Sequence, residues 1–257
     1  MKIMVIPDTQ VKPDQSVEFL KWIGQYAADK MPDVIVQIGD FADFPSLSSY
    51  DVGKKSFEGR TYKADVLAAR AGMKALMKPI RDKQNFLKKN HKPRWNPRLV
   101  LTLGNHEERV LRAIEYDRKL DGLISIDDLA YEAFGWEVYP FLEVVVIEGI
   151  AFSHYFTSGV MGRPVTTAPM LLTKKHMSCF AGHQQGRAIA YGKRADGKDM
   201  TCIIAGSCYQ HGEGYLGPQG NEHWRGFYVL HDVRDGSFDE MAVSLKYLEE
   251  KYGCTKA

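Results

Sequence analysis

The chain has 257 residues, of which 44% are apolar and 26% charged, a composition that builds a folded core and excludes a wholly disordered polar chain. Its apolar runs, such as residues 144–147, are far shorter than a membrane helix requires, and the first strand-like run starts at Lys2, from which no signal peptide is expected. The net charge is only +2, yet residues 52–98 hold fourteen Lys and Arg against three acids, a balance of +11 against −9 for the remainder, and such segregation marks a candidate polyanion-facing surface.

Residues 2–7 predict a buried strand, and residues 15–29 an amphipathic helix with Val17, Leu20, Ile23 and Ala27 on one face. Pro32 separates this helix from a second strand at 34–38. A long helix follows at about 63–89, carrying Val66, Leu67, Ala71, Met73, Leu76 and Met77, with Pro79 expected to break or kink it. A strand at 99–103 and a helix at about 107–120 come next. After Val138 the pattern turns to strands, at 144–147, 150–153, 178–181, 201–205, 226–231 and 240–245. The expectation is one mixed α/β domain over 1–257, with a basic helical insertion at about 52–98. Cys179, Cys202, Cys208 and Cys254 form no C-x-x-C pair and read as reduced thiols of a cytoplasmic protein.

Five predicted strands end in a residue able to bind a metal. These ends are Asp8-Thr9-Gln10, Gly39-Asp40, Gly104-Asn105-His106-Glu107, His154, and Gly182-His183-Gln184-Gln185. Singly, each has an ordinary structural reading. A Gly-Asp is usually a turn, a lone His a core residue, and Gly-Asn-His-Glu a helix start in which Asn105 caps and Glu107 and Glu108 favour the N-terminus. In open α/β sheets, however, ligands collect at the carboxyl ends of strands, so five such ends point to one crevice.

In these segments the chain resembles the calcineurin-like metallophosphoesterase family, whose signature runs D-x-H, G-D-x-x-D, G-N-H-[DE], a lone H and G-H-x-H. Gly39-Asp40-Phe41-Ala42-Asp43 supplies the second element, and Gly206-Ser207 resembles the turn that follows in the branch of bacterial phosphodiesterases and DNA-repair exonucleases. The resemblance implies a four-layer α/β/β/α sandwich of two mixed β-sheets flanked by helices. It implies two divalent cations, with Mn²⁺ foremost and Mg²⁺, Fe, Ni²⁺ or Zn²⁺ as alternatives. The first would take Asp8, Gln10, Asp40 and Gln185, and the second Asp40, Asn105, His154 and His183. Asp40 would bridge them, and a hydroxide shared by both ions would attack phosphorus. His106 would assist the leaving oxygen and Asp43 would orient His106.

Two departures fall on the first ion, because Gln10 and Gln185 stand where the family has His. Oxygen donors suit harder ions such as Mn²⁺, and a degenerate, often empty site is the alternative. Phe44-Pro45 stands where the protein-phosphatase branch has Arg-Gly, which lowers the expectation of that activity. Arg109 either grips the phosphate or is an ordinary helix surface residue. His91, His176, His211, His223 and His231 match no ligand position of the family.

The basic stretch Lys78, Arg81, Lys83, Lys88, Lys89, Lys92, Arg94 and Arg98, interleaved with Phe86 and Trp95, reads equally as a nucleic-acid surface or as a solvated helix face. Lying between the second and third ligand loops, it is expected to emerge near the site. The leading function is a phosphodiesterase acting on a nucleotide, DNA or RNA. The alternatives are a phosphomonoesterase, a non-enzymatic scaffold on the same fold, and a nucleic-acid binder with a decayed site. The frame also resembles calcineurin-like proteins of bacteriophages, which would place the protein in a host cytoplasm.

Overall fold

The computed structural model describes residues 1–253. Cys254 lies outside them. In chain order the strands are β1 (Ile3–Ile6), β2 (Val34–Gln37), β3 (Arg98–Thr102), β4 (Glu137–Tyr139), β5 (Val145–Ile147), β6 (Ile150–Ser153), β7 (Thr157–Ser158), β8 (Arg163–Pro164), β9 (Ser178–Ala181), β10 (Arg187–Lys193), β11 (Asp199–Ala205), β12 (Gly226–Arg234) and β13 (Ser237–Ser244). The α-helices are α1 (Glu18–Lys30), α2 (Tyr62–Lys89), α3 (Glu108–Tyr116), α4 (Ala168–Lys175), α5 (Gly217–Gly220) and α6 (Leu245–Leu248).

Two large sheets form. The first runs β13-β12-β1-β2-β3-β4 and the second β10-β11-β9-β6-β5. In the first, β1, β2, β3 and β4 are parallel. In the second, β6, β9 and β11 are parallel. Alternate residues of each strand face opposite ways. Ile3 and Val5 therefore join Val34, Val36, Phe152, Phe180 and Tyr228 between the sheets, whereas Met4 and Ile6 face outward onto α1 and α2. On the far side, Cys179 and Cys202 pack with Leu171 of α4. The layers are helix, sheet, sheet, helix, as the family resemblance implies. No helix among the described residues is long and apolar enough to cross a membrane.

Among the elements that differ from expectation are three helices. Pro79 sits inside α2 without ending it. α1 and α2 approach closely at Gly24, where a Cβ would stand 3.2 Å from Pro79 Cδ and would collide with Leu76 O. Packing of one helix on the other thus offsets the hydrogen bond that a proline forfeits. The helix expected at 107–120 ends at Tyr116, with a 3₁₀ turn at Arg118–Leu120. The second half also holds a helix, α4, begun by Thr167, whose side chain accepts from Met170 N.

The basic stretch does not emerge near the ligand loops. Thr61 caps α2 at the end that borders the site cleft. At 1.5 Å per residue, Lys88 lies about 40 Å further along the helix axis. There the Trp95 indole donates to Pro32 O at 2.8 Å and Arg98 N to Asp33 O at 3.0 Å, so the basic end meets the amino ends of β2 and β3. The inner face of α2 is core, through Val66, Ala69, Met73, Leu76, Met77 and Ile80. Trp95 packs against that core, whereas Phe86 is exposed. Lys88, Lys89 and Lys92, reversed together to Glu, are expected to change hydrolysis of a small chromogenic diester by less than about two-fold. The distance exceeds the ~10 Å over which exposed charges act in 0.1 M salt. A larger change in kcat/KM would contradict this placement.

Candidate metal centre

The parallel strands of both sheets deliver their carboxyl ends to one edge. Asp8, two residues past β1, is fully buried, and both its carboxylate oxygens accept from His183 N at 3.1 Å. Asp8 O accepts from Cys208 N beyond β11, while Thr9 N and Gln10 N donate to Asp40 O beyond β2. His106 N, beyond β3, donates to Asp40 Oδ1 at 2.9 Å. Four of the loops are thus joined by main-chain N–H groups, which donate to carbonyls or to the Asp8 and Asp40 carboxylates, before any cation is considered. The glycines are spatial requirements. A Cβ at Gly104 would collide with Asp40 Oδ1, and one at Gly182 with Asp8 Oδ1.

His154, beyond β6, is also fully buried. Its Nδ1 lies 3.0 Å from Ile38 O, and since a carbonyl only accepts, Nδ1 carries the proton. Nε2 then turns its lone pair toward Asn105 Oδ1 at 2.8 Å and Asp40 Oδ2 at 3.4 Å. His183 Nδ1 meets the same Asn105 oxygen at 2.7 Å. Ligand atoms of Asp40, His154 and His183 all lie within 4.8 Å of one another. Burial lowers the His154 pKa, and burial with His154 nearby lowers His183 to about 4, so both rings are neutral ligands at pH 7. The His154 lone pair, the Asp40 carboxylate, the Asn105 oxygen and the His183 ring converge on one point, and these residues fit a divalent cation.

The residues expected at the first ion are two carboxylates and two amides. Burial, with the Asp40 charge beside it, pushes the Asp8 carboxyl well up, as expected for two crowded acids in want of a cation. Burial also acts against Asp40, but the His106 ring and main-chain N–H hold it below the ordinary carboxylate range. Gln10, at φ 42, lines the cleft. Gln185 Oε1 accepts the Tyr209 hydroxyl at 2.6 Å, which leaves that oxygen one lone pair for an ion.

His106 and Asp43 stand together, Nδ1 2.7 Å from Oδ1. Burial alone would lower the His106 pKa, but the Asp40 and Asp43 carboxylates raise it, with Arg109 opposing them. Arg109 is not a plain surface residue. It donates to Asp43 O at 2.8 Å and Phe44 O at 3.2 Å, and its Nη2 lies 3.2 Å from His106 Nε2. These residues line a cleft of about 1000 Å³ whose outer wall includes Ser48, Tyr50, Lys54 and Arg60.

Sequence reasoning missed the role of Glu107, reading it as a helix-start acid. It is fully buried. Its Oε2 accepts from Asp40 N at 3.0 Å and Gly104 N at 2.9 Å, and its Oε1 from Ala42 N at 2.8 Å. Burial and the Asp40 charge push its pKa up to about 7, against the pull of those N–H groups. The only signal in the sequence was the acid ending Gly-Asn-His-Glu. Glu107→Ala strands three buried donors at about 1–3 kcal/mol each, so a stability loss of at least ~3 kcal/mol is expected in urea unfolding. A loss below 1 kcal/mol would show that water replaces the carboxylate.

The calcineurin-like phosphoesterase family model matches residues 1–176. A gene 54 protein of Mycobacterium phage L5 is 39% identical over 64 residues, so the match spans a quarter of each chain. With the strand order, the glycine-backed loops and the convergent donors, the match over two thirds of the sequence means that this chain belongs to the calcineurin-like phosphoesterase family.

Proposed function

We propose that the protein is a metal-dependent phosphoesterase that cleaves a phosphodiester in a nucleotide or nucleic acid. The convergence of Asp40, Asn105, His154 and His183 beside the His106–Asp43 pair carries this reading. These four residues would hold one divalent ion, and Asp8, Gln10, Asp40 and Gln185 a second. When bound, the ions supply an activated water and positive charge for the phosphate oxygens. The chain's own groups do the rest. Asp43 fixes His106 through Nδ1, which leaves Nε2 to give a proton to the leaving oxygen. Arg109 donates to Asp43 O and Phe44 O and so fixes the turn that carries Asp43.

The cleft favours a singly charged ester. Lys12 stands beside Glu213, Lys54 and Arg60 beside Asp51, and Arg109 beside Asp43. Three carboxylates thereby offset three of the four cations of the lining, and a monoester dianion would find only one further positive charge among them. The volume also leaves space for groups of nucleotide size beyond the phosphorus. A reducing cytoplasm suits the three free, buried thiols Cys179, Cys202 and Cys208.

The deciding experiment uses metal-stripped protein resupplied with Mn²⁺, Mg²⁺, Ni²⁺ or Zn²⁺. Bis(nitrophenyl) phosphate should be hydrolysed faster than nitrophenyl phosphate, with Mn²⁺ better than Zn²⁺ because the first site has only oxygen donors. Faster monoester turnover would make the protein a phosphatase. Absence of turnover with every ion would end the enzymatic reading.

A further inference from the structure

We infer that Lys12 is a positioning residue for the His106–Asp43 pair and that Glu213 anchors it, an inference that rests on the phosphoesterase reading. The backbone places it there. Val11 and Ala42 form an isolated parallel bridge, with Val11 N donating to Phe41 O at 2.8 Å and Asp43 N to Val11 O at 2.9 Å. Residues 12 and 43 are consequently held side by side.

The Lys12 ammonium lies 3.5 Å from Asp43 Oδ2 and 2.6 Å from Glu213 Oε1, with its side chain only 18% exposed. Asp43 spends Oδ1 on His106. A carboxylate with a partner on one oxygen alone turns easily about its last bond. Arg109 Nη1, 3.6 Å from that same Oδ1, offers a competing orientation. Lys12 on the opposite oxygen selects the orientation that aims Oδ1 at His106. Lysine suits this task because three donors on one ammonium serve two carboxylates at once.

Glu213 is itself fixed. Its Oε1 also meets His211 Nε2 at 2.7 Å, its N–H donates to Asn221 Oδ1 at 2.7 Å, and Asn221 Nδ2 donates back to Glu213 O at 2.9 Å. Arg225 closes the loop by donating to His211 O at 2.7 Å. A line of side chains, His211, Glu213, Lys12, Asp43 and His106, thus joins the segment beyond β11 to the leaving-group side of the site. Since Glu213 neutralises Lys12, the lysine adds orientation to the cleft and not attraction for phosphate.

The test is K12M, with K12R as the conservative variant. In K12M, metal content should match wild type, while the melting temperature should fall because Glu213 and Asp43 lose their shared cation. For a diester with an alkoxide leaving group, kcat should fall about 10–100-fold with KM unchanged. For a nitrophenolate diester, which needs little protonation, the change should stay below about three-fold. K12R should recover most of the loss. In metal-free protein, the His106 Nδ1–H proton resonance should be visible in wild type and exchange-broadened in K12M. Should K12M fail to fold, E213Q, which weakens the anchor and spares the 11–43 pairing, should give the same leaving-group split at smaller size. Equal losses for both leaving groups, a raised KM in place of a lowered kcat, or a His106 resonance unchanged in K12M would each overturn the inference. Wild-type protein inactive on every diester with every ion would defeat the phosphoesterase reading instead, and the His106 resonance would then decide the positioning role alone.

Discussion

Asp40→Asn is expected to abolish phosphate-ester hydrolysis, by at least about 10³-fold, and to lower bound metal at both sites. Asp40 is the residue on which the second and third loops and the buried imidazoles meet. Its Oδ1 accepts from His106 N, and its Oδ2 lies 3.4 Å from His154 Nε2. The asparagine retains an oxygen for the His106 amide, so the loop should keep its shape. What it loses is the negative charge, and with it the stabilisation of several kcal/mol that cations lend to the reaction. Elemental analysis after gel filtration, paired with turnover of a chromogenic diester, measures both effects. Near-wild-type turnover at full metal content would contradict a two-cation centre built on Asp40.

His106→Ala should act on the reaction and not on the ions. The ring contributes no ligand atom to the Asp40–His154–His183 cluster. Removing it leaves Asp43 and Arg109 facing each other at 3.6 Å, so neither charge is abandoned in the core. Loss of a positioned acid costs about 10²–10⁴-fold in kcat. The cost should be near its upper bound for alkoxide leaving groups and small for nitrophenolate. A uniform loss across leaving groups would assign His106 to charge stabilisation in place of proton transfer.

The strands that carry the site were legible because β1, β2 and β3 are buried on both faces along continuous apolar stretches, residues 3–6, 34–36 and 99–101. The ligand loops were legible because each pairs a strand end with a glycine or a polar donor. Glu107 was not, since its partners at residues 40, 42 and 104 come together only in three dimensions. The basic stretch was misplaced because adjacency along the chain says nothing about direction. A 28-residue helix carries it from the cleft to the opposite edge of the sheet. Pro79 was expected to break or kink the helix, because the groove at Gly24 that receives it belongs to another helix. α4 was missed because its two turns carry Pro169 and little apolar periodicity.

Glu107 has a consequence for how the protein is loaded. It and the main chain knit residues 40–42 to 104 without help from any ion. The donors are therefore in place when the chain has finished folding, and metal capture is a late event confined to the cleft. Stripping with a chelator should leave a native receptacle and not a collapsed chain. Exchange of one ion for another is then expected to need no refolding, and ion content measured after incubation with different divalent cations checks it.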